Sequence, residues 1–456
     1  MSEDSSALLS RLRQLQCHFT WDLKLDVDLE TLSSRLQIDI DFHRSPRNGG
    51  SCFYSLLAYV RYLQDQREEA LSLLNQSEET IRESYGDESE RRLIVTYGDM
   101  AWLKYHDGDF ERSKNYCQRV EDILVKYPTG SSGRFLPEVY GEQGWAYFKV
   151  SRSSISKAID CFRKALEVQT QDVEWNTGYA VALFCTEKED EESEAIKQLR
   201  FALEINPNNA ALQCMLAVKL AAYKKYEEAD DLVEKAREND PDNPHVIRSS
   251  GNYLRNRKKL DEAIVVFKQG LDSGTQLSSF NYQLAMCYKD KKIAEQCRPF
   301  SNTEEVRKLR RCCISHLEES VTIKPSFFLA LADLALLYAE EGDMSRAEEA
   351  FQQCLEKLPE LKEKLCQIIH QYYGDFYLYH KKNEAQAIAH YTKGLLIPLK
   401  KYHWRQCAKS LKKIAKRRLD NNPGDGEALA LLDRVAEAEA AEFNEDALNY
   451  DEDNEE

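Results

Sequence analysis

The sequence predicts an all-α fold, a solenoid of helical hairpins, and three observations carry that expectation. Helix breakers are scarce, with 18 glycines and 11 prolines among 456 residues, while Leu, Ala, Glu and Lys are abundant. Small residues recur at a near-constant interval: Ala158, Ala195, Ala229 and Ala263 follow one another at 37, 34 and 34 residues. Each interval also repeats one order of residue types. A small residue and an aromatic come first, then a short polar turn that often reads Gly-Asp, then Glu-Ala opening a second helix.

The units can be taken in chain order. The first copies start near Tyr54 (Leu57-Ala58, Glu69-Ala70) and Tyr97 (Trp102, Gly108-Asp109-Phe110). Gly144-Trp145 with Tyr147, Ala158, Phe162 and Ala165 forms the next, followed by Gly178-Tyr179. Leu216-Ala217 with Tyr226, Ala229, Ala236 and Pro241 is the fifth, and Arg248 to Gly251 opens the sixth. The seventh is split. Leu284-Ala285 and Tyr288 read as a first helix, His316-Leu317 and Pro325 as the end of a second, with a charged insert from Lys289 to Arg311 between them. That insert accounts for the 84-residue step from Ala263 to Ala347. Leu334-Ala335 through Pro359 and Tyr373-Gly374 complete the series.

A 34-residue period with small residues at helix crossings and a closing proline is the tetratricopeptide signature. Its physical basis is packing, since two helices approach closely only where a small side chain meets a large one. Ala229 and Ala263 are read as the small partners, Tyr226 and Phe267 as the large ones. Pro207, Pro241 and Pro359 fall where a second helix must stop. The fold expected is therefore a tetratricopeptide-repeat superhelical solenoid of about nine helix-turn-helix units. The expected organisation is a helical cap over 1–50, the superhelix over 51–398 with its insert at 289–311, a basic helix and a capping helix over 399–443, and an acidic, disordered tail over 444–456.

Composition bounds the function. A formal net charge of -16 argues against a chain that is basic all over, without excluding a basic groove inside an acidic shell. The 13 cysteines are scattered and odd in number, and the first residues lack a signal peptide, so a reducing, cytoplasmic setting with no membrane span is expected. No phosphate-binding glycine loop, nucleophile elbow, zinc-protease motif or dinucleotide fingerprint occurs. Cys366 and His370 sit four apart on one helix, and a structural pair is the simpler reading than a metal site. The expectation is thus a binding protein without a cofactor, not an enzyme. Acid runs such as Glu187 to Glu194 read as solvated turns.

Several first helices place cations beside aromatics. Lys149 follows Trp145 and Tyr147, Arg248 and Arg255 flank Tyr253, and Lys289 follows Tyr282, Gln283 and Tyr288. Cations pair with phosphates and aromatic faces with bases, which suits single-stranded nucleic acid. The alternative is that the aromatics are repeat core and the cations face solvent. The stretch Lys400 to Arg418 holds nine Lys or Arg and no acid. It reads either as a steering surface for RNA or as a solvated cap held by the acidic tail.

The chain resembles the interferon-induced proteins with tetratricopeptide repeats. The resemblance rests on Cys17-His18-Phe19-Thr20-Trp21, Leu56-Leu57-Ala58-Tyr59-Val60, Gly144-Trp145-Ala146 before Lys149, and Ala165-Leu166-Glu167-Val168. Gly178-Tyr179-Ala180, Leu216-Ala217-Val218-Lys219-Leu220 and Tyr373-Gly374-Asp375-Phe376 carry it further, in order, from about residue 10 to 420. It implies an interferon-induced antiviral effector that holds the 5′ end of foreign single-stranded RNA, triphosphate or incompletely methylated cap, in a basic tunnel. It also implies site residues. Arg35 and Lys149 fall at phosphate-binding positions, Trp145 near the cap base, Arg248 and Arg255 in the RNA channel, and Gln283 near the first nucleotides, with Tyr282 replacing a histidine. Lys289 completes the expected RNA-binding set, and Mg²⁺ is expected only as a companion of the triphosphate. Four positions depart from the family. Cys185 stands for a phosphate-gripping arginine, Ile155 for a tyrosine, Asp39 for a glutamine and His245 for a tyrosine. One lost arginine–phosphate contact costs ~1.5–3 kcal/mol. Cys185 and Asp39, with the acidic net charge, favour the alternative of an innate-immune scaffold that binds family members or signalling adaptors.

Overall fold

The computed structural model describes residues 3–25, 28–42, 50–128, 135–186, 193–272, 274 and 277–440. The acidic tail 444–456 and most of the acid run 187–194 lie outside the described residues. The described residues are helical, with no strand among them. The chain divides into two compact units, Met1–Asn243 and Pro244–Glu456, and that seam falls inside the stretch read from the sequence as one superhelix.

The N-terminal unit stacks five hairpins. Their paired helices are Gly50–Leu63 with Arg67–Tyr85, Ile94–His106 with Phe110–Lys126, Pro137–Val150 with Ile155–Val168, Val173–Thr186 with Glu194–Ile205, and Ala210–Ala222 with Tyr226–Asn239. The recurring Gly-Asp turn has a local cause. Gly108 takes a positive φ of 80°, which an L side chain resists, and Asp109 then caps the next helix by accepting from the Arg112 backbone N–H at 3.1 Å. Ala158, Ala195 and Ala229 are fully buried at the crossings. Phe162 lies against Gly144 and Gly178, filling space that a methyl group at either position would need.

Two earlier helices, Glu3–Leu12 and Leu29–Phe42, complete this unit. Arg11 ties the first to Glu121 at 2.8 Å. The stretch between them plugs the first two hairpins. His18 Nδ1 lies 2.6 Å from Asp99 Oδ2, and the Phe19 ring stacks on Trp102 at 5.9 Å and meets Tyr59 and Tyr62 edge-on.

The C-terminal unit pairs Pro244–Asn256 with Leu260–Asp272, Leu277–Gln296 with Thr303–Ile323, Phe328–Glu341 with Met344–Lys357, and Glu363–Asp375 with Glu384–Leu396. The split repeat is one long hairpin. The charged stretch 289–311 continues its first helix to Gln296, turns, and begins its second at Thr303. Tyr402–Asn421 and Gly426–Ala440 close the unit. Ala263, Phe267 and Ala347 are buried as their spacing implies. Tyr226 is not; it starts its helix at the hairpin turn and is exposed, so the large partner of Ala229 was misread. Thirteen free cysteines are spread over both units, and Cys297 is the exposed one. No helix among the described residues is long and apolar enough to cross a membrane.

Candidate nucleic-acid interface

In the N-terminal unit the repeat brings the last turns of successive first helices together. Lys149 is in the last turn of Pro137–Val150 and Lys219 in that of Ala210–Ala222, with Arg152 in the short turn after Lys149. All three act on the Cys185 thiol. Burial pushes that thiol up to about 11, and Arg152, Lys149 and Lys219 pull the other way. Three cations therefore lie near enough to bear on the position where the family resemblance leads one to expect an arginine. Lys219 Nζ also sits 5.3 Å from the Phe184 ring centre.

Lys149 does not face an open groove alone. Its Nζ donates to Asp39 Oδ2 at 2.7 Å, with both side chains largely enclosed. The ammonium lies 4.9 Å over the Phe53 ring and 5.8 Å from Phe148. Trp145 meets Phe53, Phe148 and Phe162 edge-on at 5.4–6.0 Å. It is 6 % exposed, so it forms a wall of the site and offers no open stacking face. Its buried indole N–H has no acceptor among the described residues. Arg35 lies one turn before Asp39 on the same face of Leu29–Phe42, half-buried. Ile155 belongs to the apolar core, away from any polar role.

Sequence reasoning missed a second feature of this unit, because it took the carboxylates for solvated turns. Asp99, Glu138, Glu142 and Glu174 are all buried on first helices. Glu142 accepts from Ser55 Oγ at 2.5 Å, and Glu174 meets Arg92 at 3.2 Å, which also holds Asp172 at 2.8 Å. Burial pushes Glu142 up to about 8 and Glu174 up to about 7. Burial works against the His18 imidazolium too, but Asp99 outweighs it and the group is raised. Groups raised on folding bind more protons in the folded state, so stability falls as pH climbs from roughly 4.5 toward 8. Thermal melts should show the protein more stable at about pH 6 than at about pH 9, with Glu142→Gln flattening the difference. A melting temperature that does not fall over that interval contradicts the assignment.

In the C-terminal unit each cation of the expected set whose contacts are resolved already has a protein partner. Arg255 Nη1 donates to Gln283 Oε1 at 2.8 Å. Lys289 Nζ meets Asp333 Oδ1 at 2.6 Å, and the Tyr282 hydroxyl donates to Asp333 Oδ2 at 3.2 Å. Burial opposes the Lys289 charge, and Asp333 overcomes it, holding the ammonium above the usual lysine range. The Tyr282 ring packs on Phe327 at 5.0 Å and is half-buried. Arg248 is also buried. Asp333 was not singled out in the sequence, because nothing in its own repeat marks it. Cys366 and His370 do not pair. The thiol donates to the Leu358 and Leu361 carbonyls, and His370 faces His390 with Nδ1 atoms 3.3 Å apart.

Stacked hairpins of this length and capping, with cations and aromatics on their first helices, define a tetratricopeptide-repeat binding protein. The tetratricopeptide repeat family itself matches residues 188–248 and 330–356. The human antiviral innate immune response effector IFIT1 is 33 % identical over 98 % of this chain and 95 % of its own. Human interferon-induced protein with tetratricopeptide repeats 2 is 32 % identical over 100 % of this chain and 96 % of its own. Among solved structures, the human IFIT1 dimer with m7Gppp-AAAA matches with a TM-score of 0.77 at 32 % identity, covering 95 % of this chain and 96 % of that one. The dimer with PPP-AAAA matches at 0.74 and the same identity, covering 95 % of each chain. The chain belongs to the family of interferon-induced proteins with tetratricopeptide repeats.

Proposed function

We propose that this protein is an antiviral effector of the cytoplasm that binds the 5′ end of foreign single-stranded RNA, triphosphate or incompletely methylated cap, and does so by binding alone. The observation that carries the reading is that Lys149, Arg152 and Lys219 all bear on the Cys185 thiol, with Lys149 over the Phe53 ring that packs on Trp145. Fixed cations in a partly enclosed site favour a group that concentrates phosphate charge. The relatives solved with m7Gppp-AAAA and PPP-AAAA support the choice of ligand. Arg35 is assigned to the same phosphates. Arg248, Arg255, Tyr282, Gln283 and Lys289 are assigned to RNA contacts of the C-terminal unit. There Lys289 and Tyr282 engage RNA only by giving up Asp333.

A second reading has its own observation. The Asp39–Lys149 and Asp333–Lys289 pairs neutralise two of the assigned cations within the protein, which suits a scaffold for family members or signalling adaptors. One experiment separates the two. Kd is measured for one short RNA carrying a 5′ triphosphate, monophosphate, hydroxyl, unmethylated cap or 2′-O-methylated cap. The RNA reading expects the triphosphate or the unmethylated cap to bind at least about tenfold tighter than the hydroxyl, a difference of ~1.4 kcal/mol. It also expects Arg152→Glu with Lys219→Glu to erase that gap. Equal binding of all five ends overturns end recognition, and no binding favours the scaffold.

A further inference from the structure

The helix Tyr402–Asn421 buries Trp404, Cys407, Leu411, Ile414 and Ala415 and turns a cationic stripe outward. Arg405, Lys409, Lys412, Lys413 and Lys416 are all exposed, and their spacing puts them on one side of the helix. Arg405 with Lys409, Lys409 with Lys413, and Lys412 with Lys416 are like charges one turn apart, an arrangement that costs a bare helix a few tenths of a kcal/mol per pair. Among the described residues Lys412 alone of the five has an ion-pair partner, Glu439 at 2.6 Å.

That partner shows where the chain goes. Glu439 is in the last turn of Gly426–Ala440, and its carbonyl also accepts from Lys400 Nζ at 2.7 Å. The chain thus leaves its last described helix at the N-terminal part of the stripe. The next stretch, 441–456, carries eight Asp or Glu and no Lys or Arg. Sixteen residues reach up to ~50 Å when extended, and the helix from Arg405 to Lys416 is only ~18 Å long, so the segment is long enough to double back along it.

We propose that the acidic segment 441–456 lies on this stripe as an internal polyanion. It neutralises the like-charge stripe and must be displaced before an outside polyanion, such as an RNA backbone, uses the same lysines. The tie is electrostatic and surface-exposed, so it weakens steeply with salt. This inference does not depend on 5′-end recognition.

The test uses the full chain in two measurements. Zero-length carbodiimide cross-linking followed by mass spectrometry should join carboxylates of 442–456 to Lys409, Lys413 or Lys416. A full-length variant with all eight acids changed to Asn or Gln should bind a long single-stranded RNA with a 5′ hydroxyl about tenfold more tightly at low salt. That gain should vanish near half-molar salt. Absence of cross-links to these lysines overturns the docking. Cross-links with no change in RNA affinity overturn the competition. An affinity gain that persists at high salt overturns its electrostatic cause.

Discussion

Lys149→Met destabilises the N-terminal unit by about 3 kcal/mol, and adding Asp39→Asn recovers most of the loss. The reason is asymmetric. The pair spans 110 residues of sequence, meets at 2.7 Å and is largely enclosed. Removing the ammonium leaves a buried carboxylate with this counter-charge gone, whereas removing both charges leaves neutral groups of similar shape. The partial exposure of Lys149 puts the cost at the low end of the range for broken buried pairs. Urea titration of both variants measures it. A double variant no more stable than the single one rejects the pairing as the cause. The same pair governs the proposed ligand. Asp39→Asn alone frees Lys149 and removes a charge that repels phosphate, so triphosphate RNA should bind about tenfold tighter and hydroxyl RNA nearly unchanged.

The second large effect is purely steric. Gly178→Ala places a methyl carbon 2.4 Å from Phe162 Cζ, closer than real contacts allow, so the fully buried ring must shift. The same ring lies against Gly144, and it also supports Trp145 at 5.4 Å. Overpacking at such a point costs about 2–3 kcal/mol, read as a lower urea midpoint with an unchanged slope. Phe162→Leu in the same chain should return part of that loss by opening the space the methyl needs. Failure of the second change to help rules out the ring as the obstacle. Because Phe162 backs the Trp145 wall, Gly178→Ala also disturbs the candidate interface without touching a charged residue.

The repeat was legible because periodicity reports which face of a helix is buried. Ala158, Ala229, Phe267 and the Gly108-Asp109 turn follow from local rules that act within one hairpin. What a buried face meets is a different matter. The partner of Lys149 sits 110 residues away and that of Lys289 44 residues away, beyond any local pattern. Tyr226 was misread for the converse reason, since the first position of a helix carries the periodic residue type without the burial. Asp99, Glu142 and Glu174 escaped notice because single acids on an otherwise apolar face look like solvent positions until the neighbouring hairpin covers them. Of the candidate site, Lys149 and the aromatics could be read in the sequence; Arg152 and Lys219 were not singled out, and that Asp39 and Asp333 hold the lysines could not be read.

The N-terminal plug carries a consequence for synthesis. Most contacts in a stacked-repeat protein are between neighbours, so such chains can consolidate hairpin by hairpin as they emerge. His18 is different, because its buried partner Asp99 lies 81 residues downstream. At translation rates of about 5–20 residues per second, the segment Cys17–Trp21 waits roughly 4–16 seconds outside the ribosome before its binding site exists. During that interval Phe19 and Trp21 are available to chaperones. The first two repeats, made earliest, cannot lock until the nascent chain returns to its own beginning.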